Sequence, residues 1–311
     1  LGVLLKLPMF IHPHVPTMQP KDGIFFHGIL EFLQSAGKVY PAIYPIFAFI
    51  FLFIQAIMLN RLINDHRMMN RPNFLPAMTY MLVTSLFSEW NFFSAPLLIN
   101  TVLLIVLSGL FKIYNQPKAN GTIFNIGLAI GIGSLLFFPS LTFTIWALVA
   151  LMIMRPFRIN EWLLCLLGIT SPYYFYAVYL FIVNQWDIQK IMPYLSINMP
   201  GLKQSIWLAC SALLLVIPFF IGGYYIEENL RRLLIQVRKG WSLLLLYLMV
   251  AIFIPFVNTS DTFENWVLVA IPFAAFHGCA YFYPVKNWFP LLIFWITVAF
   301  ILVYQYAGPG W

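Results

Sequence analysis

Charge is what this sequence has least of. Lys, Arg, Asp and Glu make up 9% of its 311 residues, against about a quarter in soluble domains, so folding alone cannot hide its apolar surface from water. A soluble globular class is thereby excluded. Acid is scarcer than base, 10 residues against 17, yet no basic run is interleaved with exposed aromatics, so nucleic acid is excluded as a partner. Cysteine is scarce too: Cys165, Cys210 and Cys279 sit in apolar segments without C-x-x-C spacing, which excludes a disulfide framework and reads as packing. A transporter is a weak third reading, because there is no internal repeat, no matched pair of broken helices and little buried charge.

What is present is apolar. Hydrophobic residues make up 62% of the chain and the mean hydropathy is +0.86. Apolar runs fall at about 1–11, 43–60, 74–87, 93–111, 122–138, 141–154, 162–183, 205–226, 241–257, 265–282 and 288–306. At about 20 residues per span, the predicted fold is all-α: a polytopic transmembrane bundle of about eleven helices, a single integral membrane domain over residues 1–311 with membrane lipids as partners. Lys6 interrupts the first run, "LGVLLKLPMFI", and no small-residue cleavage site follows, which argues against a removable signal peptide.

Base counting orients such a bundle, because lysines and arginines stay on the cytoplasmic side. One side holds Arg61, Arg67, Arg71, Lys112, Lys118, Arg155, Arg158, Arg231, Arg232, Arg238, Lys239 and Lys286; the other holds Lys21, Lys38, Lys190 and Lys203. The expectation is an inner-membrane protein with its N-terminus cytoplasmic, its C-terminus extracytoplasmic, and two long outer loops at about 12–42 and 184–204.

The first outer loop gathers most of the candidate chemistry. In "QPKDGIFFHGILEF", Ile24, Phe25, Ile29, Phe32 and Leu33 approach helical spacing against Asp22, His27, Glu31 and Gln34, which predicts an interfacial amphipathic helix. Asp22 is expected to be its N-cap, with Gly23 at the first helical position. The same carboxylate, held near the lipid boundary, is a candidate general base, with Glu31 as a second acid. His12 and His14 alternate in "FIHPHVP"; with an acid they are compatible with a divalent metal ion, the one cofactor candidate, although no full ligand set is evident. In the second loop, Trp186, Asp187, Lys190 and Lys203 are candidates for substrate contact, as are His12, His14, Lys21, His27 and Lys38 in the first. Glu89, Asp261 and Glu264 are placed on the same outer side.

Within the spans, the glycines of "NIGLAIGIGS" predict close helix packing, and His277 predicts an interhelical hydrogen bond. The inner segment "EENLRRLLIQVRKG" places four bases between apolar runs, within reach of lipid phosphates.

The pattern "LGVLLKLPMF" followed by an outer loop bearing Asp22 in "PKDG" resembles the start of the GT-C glycosyltransferases, which use polyprenyl-phosphate sugars. The resemblance covers about forty residues. It implies that Asp22 serves as general base or acceptor-orienting acid and that outer lysines contact the donor phosphate. It departs from the family's paired acids, since Gly23 follows Asp22 and the next acid is Glu31. The whole chain also resembles a family of uncharacterised, aromatic-rich integral membrane proteins of Bacteroidota. The function expected is sugar transfer from a polyprenyl-phosphate donor to an extracytoplasmic acceptor; the competing class is a non-enzymatic membrane scaffold or assembly partner.

Overall fold

The computed structural model describes residues 2–19, 22–187, 205–257, 263–286, 288–306 and 308, the Arg231 side chain excepted. It is all-helical, and among the described residues the β contact is a single isolated bridge, Asp22 to Phe137. The helices are α1 (Gly2–Lys6), α2 (Pro8–Ile11), α3 (Ile24–Val39), α4 (Ile43–Asp65), α5 (Leu75–Val83), α6 (Ala95–Lys112) and α7 (Asn120–Leu136). They continue with α8 (Phe143–Met154), α9 (Ile159–Ile182), α10 (Ile206–Asn229), α11 (Ile235–Phe253), α12 (Ala270–Phe282) and α13 (Trp288–Tyr306).

Seven stretches among the described residues are long and apolar enough to cross a bilayer: α4, α6, α9, α10, α11 with its 3₁₀ extension, α12 with the 3₁₀ turn preceding it, and α13. They fit a membrane protein, and the expected count of about eleven is not confirmed among the described residues. The runs at 122–138 and 141–154 form shorter apolar helices. The run at 74–87 yields only the nine residues of α5, about 14 Å at 1.5 Å per residue, half of a bilayer core. Residues 2–11 divide into two short helices, the second opening at Pro8, a ring tolerated only where no amide hydrogen is needed.

Small residues set the tightest packing. A Cβ on Gly127 would lie 2.1 Å from the Cys165 carbonyl oxygen, and one on Gly168 would lie 2.4 Å from that of Phe124. The backbones of α7 and α9 therefore touch, as the glycine run predicts. Pro172 lies inside α9 and cannot donate to the Gly168 carbonyl four residues back; the Ser171 hydroxyl donates to that carbonyl instead, at 2.8 Å, which is how such kinks persist in lipid. Between α10 and α12, His277 Nε2 lies 2.7 Å from the Leu215 carbonyl. Because a carbonyl can only accept, Nε2 carries the proton. This is the interhelical bond expected of His277. All three cysteines are free thiols.

The two ends of the bundle differ. At the end where α6 begins, His14 stacks on Phe92 after the 3₁₀ turn Ser88–Asn91, Asp22 bridges to Phe137 before the 3₁₀ turn Phe138–Thr142, and Thr17, Gln19 and Asp22 share a cavity with Glu264 of the turn Phe263–Val269; Trp90 Nε1 donates to the Phe263 carbonyl at 3.1 Å. At the end where α6 stops, basic residues collect. Arg155 pairs with Glu161 at 2.9 Å and donates to the carbonyls of Ile113, at 3.1 Å, and Gln116, while Lys239 lies over the Tyr114 ring.

Candidate functional site

The amphipathic segment is a helix, α3, but it is not capped as expected. Gly23, not Asp22, is the N-cap, and it makes no side-chain cap bond. The reason is close approach: the Gly23 amide donates to the Leu136 carbonyl at 2.8 Å, and a Cβ at Gly23 would lie 2.0 Å from the Leu135 oxygen. Only glycine fits against the end of α7, so Asp22 is moved one residue outside the cap position. Its Oδ2 instead accepts the Gln19 amide at 2.9 Å, closing the loop on itself, while His27 Nε2 lies 3.4 Å from the Gln19 carbonyl.

Asp22 lines a small cavity with Thr17, Gln19, Ser94 and Glu264. The acid beside it is therefore Glu264, from the far end of the sequence. Glu31, expected as its partner, is exposed on α3. Glu264 is buried; Glu89, on the adjoining turn, accepts the Phe263 amide.

On the other side of α3 lies a groove of about 1100 Å³. The stripe Ile24, Phe25, Ile29, Phe32 and Leu33 forms one wall, with Gly28 between, and α4, α6, α7 and α9 supply the others, Pro172 and Tyr176 among them. This is the apolar face read from the sequence, and it lies along a channel lined almost wholly by apolar side chains. Ile24 and Leu136, both lining it, flank the Gly23 contact, so the groove lining comes within two residues of Asp22 along the chain. Phe93 stands in the walls of both the groove and the small cavity.

The other expected site residues scatter. His12 and His14 are exposed in the loop; His14 stacks on Phe92 with centroids 4.1 Å apart and rings 5° from parallel, and burial of that face pushes its pKa below 6.5. Among the described residues no cluster of three or more His, Cys, Asp or Glu side chains could hold a metal ion. Lys38 is exposed and lines a separate cavity of about 440 Å³ with Gln34 and Tyr44. Trp186 and Asp187 are exposed past the end of α9 and are not among the described residues that line the Asp22 cavity. Lys21, Lys190, Lys203 and Asp261 lie outside the described residues.

Sequence reasoning missed Lys6. It is 1% exposed, and its ammonium donates to Thr84 Oγ1 at 2.8 Å and to Asn91 Oδ1. No carboxylate among the described residues is within ion-pair distance. The signal was the base itself, inside an otherwise apolar run.

Comparison with known proteins places the groove in context. Residues 24–309 match a family of unknown function, DUF6427. The chain belongs to that family. No curated protein and no solved structure matches it. The DUF6427 match takes in every residue lining the large groove, together with Glu264, and begins two residues after Asp22.

Proposed function

We propose that this chain is a multi-pass transferase of GT-C type in the inner membrane, moving a sugar from a polyprenyl-phosphate donor to an extracytoplasmic acceptor. One observation carries the reading: an apolar groove of about 1100 Å³ whose wall shares Phe93 with the cavity that Asp22 lines. The isoprenoid tail lies in the groove against the apolar stripe of α3, because such a chain has no polar group to satisfy and gains by leaving water. Its phosphate then reaches the Asp22 end.

The Gln19 amide orients the Asp22 carboxylate. In the reaction Asp22 takes the proton of the acceptor hydroxyl as that oxygen bonds to the anomeric carbon; the bond from that carbon to the phosphate oxygen breaks, and polyprenyl phosphate leaves with the electron pair. Lys21, next to Asp22 in the chain, meets the charge developing on the phosphate. Glu264 acts as a positioning acid across the cavity, a role that falls to it rather than to the exposed Glu31. The N-terminus is cytoplasmic in this reading, since the base-rich end of the bundle is the one retained inside.

The test is transfer of radiolabelled sugar from a polyprenyl-phosphate donor by the purified chain in lipid nanodiscs. Asp22→Asn should slow turnover at least a hundredfold, in line with loss of a general base. Gly28→Phe should raise the KM for donor, because a Cβ at Gly28 meets nothing within 4 Å and the ring would project into the groove without disturbing the fold. Equal rates for wild type and Asp22→Asn would remove Asp22 from the mechanism. Absence of turnover on every donor would turn the reading to a membrane scaffold.

A further inference from the structure

The base-rich end carries a second cavity, of about 450 Å³, between α10, α11 and α12. It lies at the level where α10 stops and α11 starts, the level at which bundle helices meet lipid headgroups. Two of its lining residues bring unsatisfied donors: Arg238 Nε and Trp241 Nε1 are buried and have no hydrogen-bond partner among the described residues. Trp241 is only 2% exposed. A buried N–H without an acceptor has lost its hydration uncompensated, and two lining one cavity indicate that a group with acceptor oxygens belongs there.

The rest of the lining defines that group. Phe219, Phe220 and Leu245 give apolar walls, and Phe220 and Leu245 continue onto the exposed flank of the bundle, so the occupant is amphiphilic. Glu227 also lines the cavity. A carboxylate disfavours a purely anionic headgroup and complements one that carries a cation beside its phosphate. A primary ammonium can donate to it; a quaternary one cannot.

We propose that this cavity is a headgroup site for an aminophospholipid, its phosphate diester held by Arg238 and Trp241 and its primary ammonium by Glu227. This site is independent of the groove under α3 and of the transfer reaction.

The experiment is native mass spectrometry of the purified full chain with added phosphatidylethanolamine, phosphatidylglycerol or phosphatidylcholine of matched acyl chains. Wild type should retain the ethanolamine lipid with roughly tenfold greater affinity than either of the others, and Arg238→Gln should weaken it by about tenfold, the loss of one charge-assisted bond. Glu227→Gln should erase the preference over phosphatidylcholine while leaving phosphatidylcholine binding unchanged. Gly223→Leu should empty the site with both donors intact, since a Cβ there is 4.0 Å from its nearest neighbour, Phe276. Equal retention of the three lipids by wild type overturns the proposal even if the variants do not fold, and so does wild-type retention by folded Arg238→Gln and Gly223→Leu. Soluble phosphoethanolamine binding as tightly as the lipid would overturn the lipid as its source.

Discussion

Among the described residues one lysine and one arginine are buried, Lys6 at 1% exposure and Arg155 at 8%, and they stand at opposite ends of the bundle in unlike surroundings. Arg155 is neutralised: both oxygens of Glu161 accept from it, at 2.9 to 3.2 Å, and two backbone carbonyls take its remaining reach. Lys6 is held by a hydroxyl and an amide oxygen, both uncharged. The first arrangement fastens the chain after α8 to the turn after α6. The second ties α1 to the turn beside Glu89 and Glu264 with no compensating charge among the described residues. Buried charge without a counter-ion is what evolution tolerates where it serves a site rather than the fold.

Substituting each cation with a neutral chain of similar length probes that contrast. Arg155→Met leaves Glu161 buried and without its main partner and should cost about 3–5 kcal/mol, read as a lowered unfolding midpoint in detergent. Lys6→Met strands only neutral acceptors while relieving the ammonium of its desolvation, and should change stability by no more than about 1 kcal/mol. If the two losses are equal, Lys6 has a counter-ion and the contrast fails.

A finer version uses two histidines, each packed on a phenylalanine at its own end: His14 on Phe92 and His66 on Phe111, the latter with centroids 4.6 Å apart. Burial lowers both pKa values from 6.5; at His66 Asp65 opposes the shift and Lys112 reinforces it. The unfolded chain therefore takes up protons first as the pH falls through 6.5, and the folded state loses stability below that pH, with no contribution above it. His14→Phe and His66→Phe should each shrink the drop in unfolding midpoint between pH 7.5 and 5. Lys112→Gln should raise the pKa of His66 by a few tenths, as seen by NMR, and leave His14 where it is.

Much of this was legible in one dimension. The stripe from Ile24 to Leu33 predicted a helix and its apolar face, and the glycines of "NIGLAIGIGS" predicted close helix packing, with α9 as the partner that the structure supplies. What failed depended on distant partners. Gly23 displaces Asp22 from the cap because of Leu135 and Leu136, more than a hundred residues on. Lys6 finds Thr84 and Asn91 across 78 and 85 residues. Glu264 rather than Glu31 reaches the Asp22 cavity, since helical spacing along α3 says nothing about a turn that arrives from the other end of the chain. The span count is not confirmed for a local reason: hydropathy registers that a segment is apolar, not that its helix stops after nine residues, as α5 does.

Phe93 gives the site a property that its distances alone do not express. Its ring packs near Phe26, Tyr44, Phe47 and Phe51, with centroids 5.8 to 6.5 Å away, and it forms part of the wall of the groove, of the Asp22 cavity and of the crevice beside His14. One aromatic septum thus divides an oily compartment from a polar one. The same ring that closes the apolar groove also closes the cavity of Asp22 and Glu264, so any change in the position of Phe93 alters the shape of both at once.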